Sequence, residues 1–426
     1  MLKDWKRWTA AAAATVLAVG MLGACGSNSG SGKTKITIFN SKSEIQSQFE
    51  DLAETYSEEH DVDVSVYYSN DTVAAHLATK YASNQPYTLS MVDAKDVYSL
   101  AGEHALDLSG EKWVGDTEQA IAVDGKTYGF PVSIEARGLI YNADAIKKAT
   151  GKEFKPESVK TTDDLKKLIE DLKAGGMESP VGVMKEDWSL GAHYLQQVYE
   201  EQADPTAFIK SLHDGADLNA DARWNSLMDT FDVLKENNYA KGDKAISAER
   251  EVTEQKLAKG EIALMFGGNW DWAVLNQYEP TKNMGMMPVP QNNNDQEVTD
   301  KLVGGGSKYF FIDNSKNTSK EQQKAAKDFL NWLALDKEGQ EWVVNTANLV
   351  SPFKSNKLEV ADPLGKSVKQ FSDAGKFIEN YNYAPDDHYS VLGAHFQKYL
   401  AGQEDRATFA GQIVDYWKKN DMKTIQ

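Results

Sequence analysis

Residues 35–66 read KITIFNSKSEIQSQFEDLAETYSEEHDVDVSV, and this stretch decides the fold class. Residues 35–39 predict a strand. Ser43 and Gln46 form a capping-box pattern before a helix with apolar residues at helical spacing. Apolar and polar residues then alternate over 62–66, as in a second strand. Strand, helix and strand at this spacing form a βαβ unit, which requires parallel strands and predicts an α/β domain.

The same elements recur along the chain. Residues 161–174 carry one apolar stripe that ends at a Gly-Gly pair, which predicts a helix. Further signals predict short buried strands and long helices, at 181–184, 262–266 and 308–312 for strands and at 320–345 and 391–419 for helices. About 400 residues are too many for one hydrophobic core, so we expect at least two domains.

The N-terminal segment predicts export and lipid attachment. Basic residues are followed by an uncharged run over 8–24, which is short for a spanning helix, and by Leu-Gly-Ala before Cys25. This pattern resembles a lipobox, so we predict a signal peptide over 1–24 and acylation of Cys25 with diacylglyceryl and palmitate chains. Residues 25–33 would form a flexible tether on the extracellular face of the cell membrane. The alternative is a plain secretory signal with a chance cysteine.

Charge and composition exclude several classes of partner. The formal net charge is −18, and −20 once the net +2 of residues 1–24 is removed. Such an acidic chain is unsuited to nucleic acid or an anionic bilayer. Cys25 is the only cysteine, so one chain has no internal disulfide.

Motifs for catalysis and for metals are missing. The sequence lacks HExxH, GxSxG, GxxxxGK[ST] and CxxC. Residues 217–221 begin like a calcium loop, but Ala222 and Met228 stand where glycine and glutamate are needed. Residues 386–388 with His395 are better explained as a polar loop before a helix. We therefore expect no cofactor and no metal.

Residues 267–272 read GGNWDW and directly follow a predicted buried strand. Ligands of open α/β sheets bind outside the carboxyl ends of the strands. Glycines there let the backbone approach a ligand, and an indole can cover the apolar face of a sugar ring. We favour Trp270 as a site residue, whereas Trp272 is equally well explained as core or as site.

Residues 128–142 read YGFPVSIEARGLIYN and form the most specific stretch of the exported chain. Here the sequence resembles the extracellular solute-binding proteins of carbohydrate ABC importers, which include the maltodextrin-binding proteins. In that family a similar segment is a strand that crosses between lobes. Residues 259–270, 304–307 and 325–342 resemble further family segments in the same order.

The resemblance implies a two-lobed, periplasmic-binding-protein-like α/β fold with a hinge and an interlobe cleft. Lobe 1 would comprise 34–135 plus 304–345, and lobe 2 would comprise 136–303 plus 346–426. The chain would cross between the lobes near residues 135, 303 and 346.

The resemblance, together with the strand-end argument, also predicts a ligand-binding set. Its members are polar, aromatic or glycine residues at strand ends and crossings: Lys42, Glu44, Asp93, Glu135, Trp188, Trp270, Trp272, Gly305, Gly306 and Tyr389. Several alternatives stay open. Asp96 could replace Asp93, Lys42 and Glu44 could simply be solvated, and Trp188 could pack at the hinge. We expect Arg137 to pair with a carboxylate rather than to touch sugar.

The resulting functional hypothesis is a monomeric, lipid-anchored protein that captures an oligosaccharide between its lobes. It would deliver this load to the permease subunits of an ABC importer and would not turn it over. One alternative is a surface glycoside hydrolase with Glu135 and Asp93 as its paired carboxylates. The other is a receptor for a non-sugar solute such as a polyamine, a metal chelate or a glycerophosphodiester. The 10 Trp and 18 Tyr favour sugar.

Overall fold

The described part of this computed structural model comprises residues 32–69, 71–100, 102–293 and 295–422. The predicted signal peptide, Cys25 and most of the tether lie outside it. The described residues from Thr34 onward form one folded unit. Among the described residues, no helix combines the length and apolar character needed to cross a membrane.

The described strands form a ten-stranded sheet in the spatial order β2-β1-β3-β9-β5-β7-β6. Outside this path β10 pairs with β9, and β4 and β8 pair with β5. The strands are β1 (Thr34–Asn40), β2 (Val62–Tyr68), β3 (Leu89–Asp93), β4 (Ile121–Val123), β5 (Lys126–Asn142), β6 (Val181–Gly182), β7 (Leu264–Gly268), β8 (Met284–Met287), β9 (Leu302–Ile312) and β10 (Phe377–Ile378).

Helices cover the sheet. They are α1 (Gln46–Glu59), α2 (Val73–Ala82), α3 (Ala94–Leu100), α4 (Ala143–Thr150), α5 (Thr162–Ala174), α6 (Leu195–Glu200), α7 (Pro205–His213), α8 (Ala222–Asn237), α9 (Arg250–Ala258), α10 (Trp272–Leu275), α11 (Gln296–Thr299), α12 (Lys320–Leu335), α13 (Lys337–Glu341), α14 (Pro363–Asp373), α15 (His388–Ala401) and α16 (Arg406–Trp417). Two π-helical segments, Trp188–Tyr194 and Trp342–Thr346, interrupt this regular pattern.

The predicted βαβ unit is confirmed. β1 and β2 are parallel in the register Thr34↔Val62 to Asn40↔Tyr68, with α1 between them in sequence. The capping box is wrong, because a 3-10 turn precedes the helix and α1 begins at Gln46. The Gln46 side chain instead accepts a hydrogen bond from the Asn40 side chain at 2.8 Å.

Strands β5 and β9 carry the sheet from one half of the molecule to the other. The N-terminal part of β5 pairs antiparallel with β9 over Phe130–Arg137, and its C-terminal part pairs with β7 and β8. The extended conformation predicted for 128–142 is therefore confirmed. The predicted lobe boundaries remain a prediction.

Apolar packing is concentrated in large buried clusters. In one, Phe49 of α1 packs against Phe310 of β9 and Phe329 of α12. In another, Phe231 of α8 packs against Phe396 of α15. Helices thus cover the sheet and fix the strand ends, where polar side chains collect.

Candidate functional site

The sheet topology brings several predicted residues to one region. Asp93, at the end of β3, lies opposite Lys308 of β9, and Glu135 of β5 lies opposite Gly305 of the same strand. Arg137 of β5 lies opposite Gly268, the last residue of β7. Two residues beyond β7 comes Trp270, so the loop after that strand borders the same region.

Lys42 is a buried cation that lies between Glu44 and Glu135, both members of the predicted ligand-binding set. Its Nζ lies 2.5 Å from Glu135 and 2.7 Å from Glu44, and the Lys42 side chain is only 4% exposed. Burial lowers the pKa of Lys42, but Glu135 and Glu44 outweigh it and the net shift is upward. Asn40 fixes this turn through hydrogen bonds to the Lys42 backbone. Lys42 is thus not solvated, whereas Glu44 keeps part of its side chain in water.

A second ion pair lies at the end of β3. Lys308 Nζ is 2.6 Å from Asp93, whose side chain is partly exposed. Burial opposes ionisation of Asp93, yet Lys308 holds its pKa below the usual range. Asp96 is buried and accepts a hydrogen bond from the Asp93 backbone, and burial together with Asp93 raises the pKa of Asp96 to about 6. This geometry favours Asp93 over Asp96 as the residue that faces the site.

Arg137 joins three segments from the middle of β5. It forms a buried ion pair with Glu200 of α6, donates to Asn380 Oδ1 at 2.7 Å, and donates to the His193 carbonyl at 3.2 Å. Glu200 also accepts from the backbone N–H of Tyr381 at 2.9 Å. The prediction that Arg137 pairs with a carboxylate is confirmed.

Trp188 and Trp270 belong to one cluster of rings. The His193 ring lies between them, with centroid distances of 5.2 Å to Trp188 and 4.9 Å to Trp270. The Trp270 indole covers Gly268 so closely that a Cβ at that glycine would lie 2.3 Å from the ring. All three side chains of this ring cluster are half-buried rather than part of the dry core.

Arg250 packs against the ring cluster through Trp188. Its guanidinium lies 4.6 Å from the centroid of Trp188, a cation–π geometry. Asp271 and Glu254 hold that guanidinium, and Asp271 also accepts from the Gly268 backbone at 3.0 Å. Burial and the Asp271 charge raise the pKa of Glu254 to about 9.

Trp272 and Tyr389 differ in their position relative to this ring cluster. Trp272 is 5% exposed and lies in an apolar core, so of the two interpretations the core one fits. Tyr389 is half-buried at the start of α15, with Lys95 5.8 Å from its ring centroid. Its carbonyl lies against Gly191, where a Cβ would approach to 2.4 Å, so α15 packs directly on the segment that carries Trp188.

Sequence reasoning missed several polar and aromatic residues of this region. Gln119 accepts from the Gly306 backbone at 2.7 Å, which anchors one of the predicted glycines. Tyr67 and Tyr68 are exposed at the end of β2, beside the end of β1. Their strand-end position was a usable signal, whereas Gln119 lies in a loop with no pattern of its own.

No metal site emerges from the described residues. Within those ranges, no group of three His, Cys, Asp or Glu is placed to hold an ion. Asp217 and Asp221, which begin like a calcium loop, instead accept hydrogen bonds as helix N-caps. His388 is buried and bonded to Tyr199.

Comparison with known proteins decides the family. A family model for bacterial extracellular solute-binding proteins matches residues 51–371. The chain belongs to this family. Its members act outside the cytoplasm, as the family description says, and they bind solutes rather than convert them.

The curated and structural relatives agree with this membership. Maltodextrin-binding protein MdxE of Bacillus subtilis (strain 168) is 28% identical over 312 residues, 68% of this chain and 69% of that protein. RafE in complex with raffinose has a TM-score of 0.76 at 16% identity and covers 91% of this chain and 99% of its own. A chitin oligosaccharide binding protein has a TM-score of 0.71 at 20% identity, with coverages of 91% and 98%. The α/β fold is therefore that of two-lobed solute-binding proteins.

Proposed function

We propose that this protein captures an oligosaccharide between its two lobes and delivers it to the permease of an ABC importer. Lobe 1 would comprise 34–135 plus 304–345 and lobe 2 would comprise 136–303 plus 346–426. Acylation of Cys25 would anchor the protein to the extracellular face of the cell membrane. The observation that carries the proposal is the half-buried ring cluster Trp188–His193–Trp270 beside polar strand ends.

A sugar-binding site needs aromatic rings that cover the apolar faces of the sugar and polar groups that bond its hydroxyls. An indole face buries the C–H surface of a pyranose, while carboxylates, amides and cations bond its hydroxyl groups. Glu135 within β5, Lys42 just after β1 and Asp93 at the end of β3 would supply such groups, and Trp188 and Trp270 would supply the faces.

The charge balance of the region favours a neutral ligand over a polyamine. Lys42 pairs with both Glu44 and Glu135, which leaves one net negative charge on this group, and Lys308 neutralises Asp93. Binding a polycation would require carboxylates without such partners, because the lysine that already contacts a carboxylate cancels much of its attraction for a second cation. The relatives support the same choice, since their names include maltodextrin, raffinose and chitin oligosaccharide.

Isothermal titration calorimetry on residues 26–426 tests the ligand class. The panel is maltotriose, raffinose, mannotriose and chitotriose, with spermidine as the cationic comparison. We expect at least one sugar to bind with little dependence on salt and spermidine not to bind. Binding of spermidine alone, or of no member of the panel, would refute the proposal.

Matched tryptophan variants then test the site. Trp270→Ala should weaken sugar binding by about 30-fold, the effect of losing roughly 2 kcal/mol at a binding hot spot. Trp332→Ala is the control, because Trp332 is also half-buried but packs on Tyr56 in α1. Equal losses in both variants would show that the effect is structural.

Incorporation of labelled palmitate in cells tests the anchor. The full chain should incorporate the label and partition with membranes, whereas Cys25→Ala should do neither. Membrane retention of the unlabelled Cys25→Ala protein would argue against anchoring through this cysteine.

A further inference from the structure

His193 lies at the centre of the ring cluster, yet no sequence pattern marked it as a ligand residue. Its ring meets Trp188 at 76° and Trp270 at 47°, so it joins the two tryptophans edge-on and obliquely. Arg137 donates to its backbone carbonyl, which fixes the histidine relative to β5. A residue held from both sides in this way has little freedom to move when a ligand arrives.

An unusual backbone segment places this histidine. Trp188–Tyr194 is π-helical, and the N–H of Leu195 continues the pattern by bonding to the Leu190 carbonyl five residues back. In an α-helix, residues five apart point about 140° from one another, whereas the wider π-helical turn brings them closer to the same face. The π turn is therefore what sets His193 beside Trp188. Such turns are rare and occur frequently at functional sites.

Two polar atoms of the ring cluster are shielded from solvent and have no hydrogen-bond partner among the described residues. They are His193 Nδ1 and Trp270 Nε1. Most buried polar groups in folded proteins have a hydrogen-bond partner, so an unpaired one calls for an explanation. That both occur on two touching rings points to a polar guest that satisfies them together.

The surroundings of His193 favour a neutral imidazole. Burial, together with the charges of Arg137 and Arg250, lowers the pKa of His193 well below its ordinary value. A neutral imidazole has one donor and one acceptor nitrogen, and an indole has one donor. This combination matches hydroxyl groups, which both donate and accept, better than it matches an ion.

We propose that His193 is a specificity-determining residue of the sugar site, which bonds a ring hydroxyl through Nδ1 while Trp270 Nε1 bonds another hydroxyl of the same sugar unit. The proposal rests on the proposed function. Sugars with a hydroxyl at the matching position are selected, because the deoxy analogue leaves the imidazole nitrogen unpaired.

His193→Phe provides the test by calorimetry, since phenylalanine keeps an aromatic ring and removes the nitrogens. With the panel sugar that binds the wild type most tightly, we expect the affinity to fall at least tenfold. The matched control is His388→Phe. His388 also lies among rings and also has an unpaired Nδ1, but it packs on Tyr199 and Trp417, outside the ring cluster. Its variant should keep the wild-type affinity.

Monodeoxy analogues of that sugar separate a hydrogen bond from general packing. One analogue should bind the wild type weakly yet lose nothing further in His193→Phe, since the partner hydroxyl is already missing. Unchanged affinity in His193→Phe, or an equal loss for every analogue, overturns the role of His193 and leaves the sugar-binding proposal intact. A wild type that binds no sugar overturns the proposed function and this inference with it.

A measurement on the wild type avoids any dependence on how well a variant folds. The ¹⁵N resonances of the histidine side chains should shift on sugar addition for His193 and stay fixed for His388. A sugar-saturated protein in which the His193 resonances do not move contradicts the proposal.

Discussion

Replacing Arg137 by methionine tests how much one buried guanidinium contributes to the free energy of unfolding. The Arg137 and Glu200 side chains are 6% and 0% exposed. Methionine keeps the apolar stem but removes the charge and every donor. The variant therefore leaves Glu200 buried without its cation and leaves Asn380 and the His193 carbonyl without their Arg137 donors.

The expected loss follows from these contacts. Removing one partner of a buried ion pair costs about 3–5 kcal/mol, because the other charge remains uncompensated. The two hydrogen bonds from the charged guanidinium to the Asn380 and His193 oxygens add about 1.5 kcal/mol each, much of which water recovers. We expect Arg137→Met to lower the free energy of unfolding by about 4–6 kcal/mol, a large share of the 5–15 kcal/mol typical of folded proteins.

The loss should depend on pH in a defined direction. Burial raises the pKa of Glu200 even though Arg137 lowers it, so removing Arg137 raises the pKa further. A carboxyl with a raised folded-state pKa destabilises the protein increasingly as pH rises from its unfolded value towards its folded one. The deficit of Arg137→Met should thus be larger at pH 8 than at pH 5.

Urea unfolding followed by tryptophan fluorescence, at pH 5 and pH 8, measures both quantities. Arg223→Met is the control, because its pair with Asp295 is 24% and 38% exposed and should contribute less than about 1 kcal/mol. Adding Glu200→Gln to Arg137→Met should recover much of the loss at pH 8. A deficit below 1 kcal/mol, or one that is the same at both pH values, would refute this reasoning.

Three further predictions concern other parts of the region. Gly191→Ala should lower stability by about 1–3 kcal/mol in urea unfolding, because its Cβ would lie 2.4 Å from the Tyr389 carbonyl oxygen; an unchanged midpoint would contradict this close packing. Asp96→Asn should raise the free energy of unfolding by about 2–3 kcal/mol at pH 7 and hardly at all at pH 4. The reason is that the folded-state pKa of Asp96 is raised to about 6, so its charged form destabilises the folded protein above that pH. Equal effects in urea unfolding at both pH values would count against this prediction. Trp272→Ala should lower the free energy of unfolding by about 3–5 kcal/mol, because it removes a buried indole from the core. Sugar affinity measured by calorimetry should change less than threefold, and a larger loss would indicate that Trp272 contacts the ligand.

Local patterns sufficed for the framework of this fold. The βαβ unit and the extended segment 128–142 were predictable because side-chain periodicity reports which face of each element is buried. The capping box at Ser43 failed for an equally local reason, because the Gln46 side chain bonds back to Asn40 rather than to the helix N-terminus.

The composition of the site depended on distances that sequence does not encode. Asn380 lies 243 positions from Arg137 along the chain and yet bonds to it, and neither residue carries a pattern that announces the other. Trp270 and Trp272 stand two positions apart, and only the direction of the turn after β7 sends one to the ring cluster and the other to the core. His193 escaped notice because its position beside Trp188 exists only if the backbone adopts a π turn.

We expect any motion between the two halves of the sheet to rotate about β5 and β9, because these strands pair with each other where the halves meet. Glu135 and Gly305 face each other on these strands, so a rotation about them displaces both residues little. Lys95 and Asp386 form an ion pair 3.3 Å long between α3 and the segment before α15. If the two halves separate, this ion pair breaks, so fluorescent dyes attached near Lys95 and Asp386 should report opening and closing, whereas the same dyes near Glu135 and Gly305 should report little change.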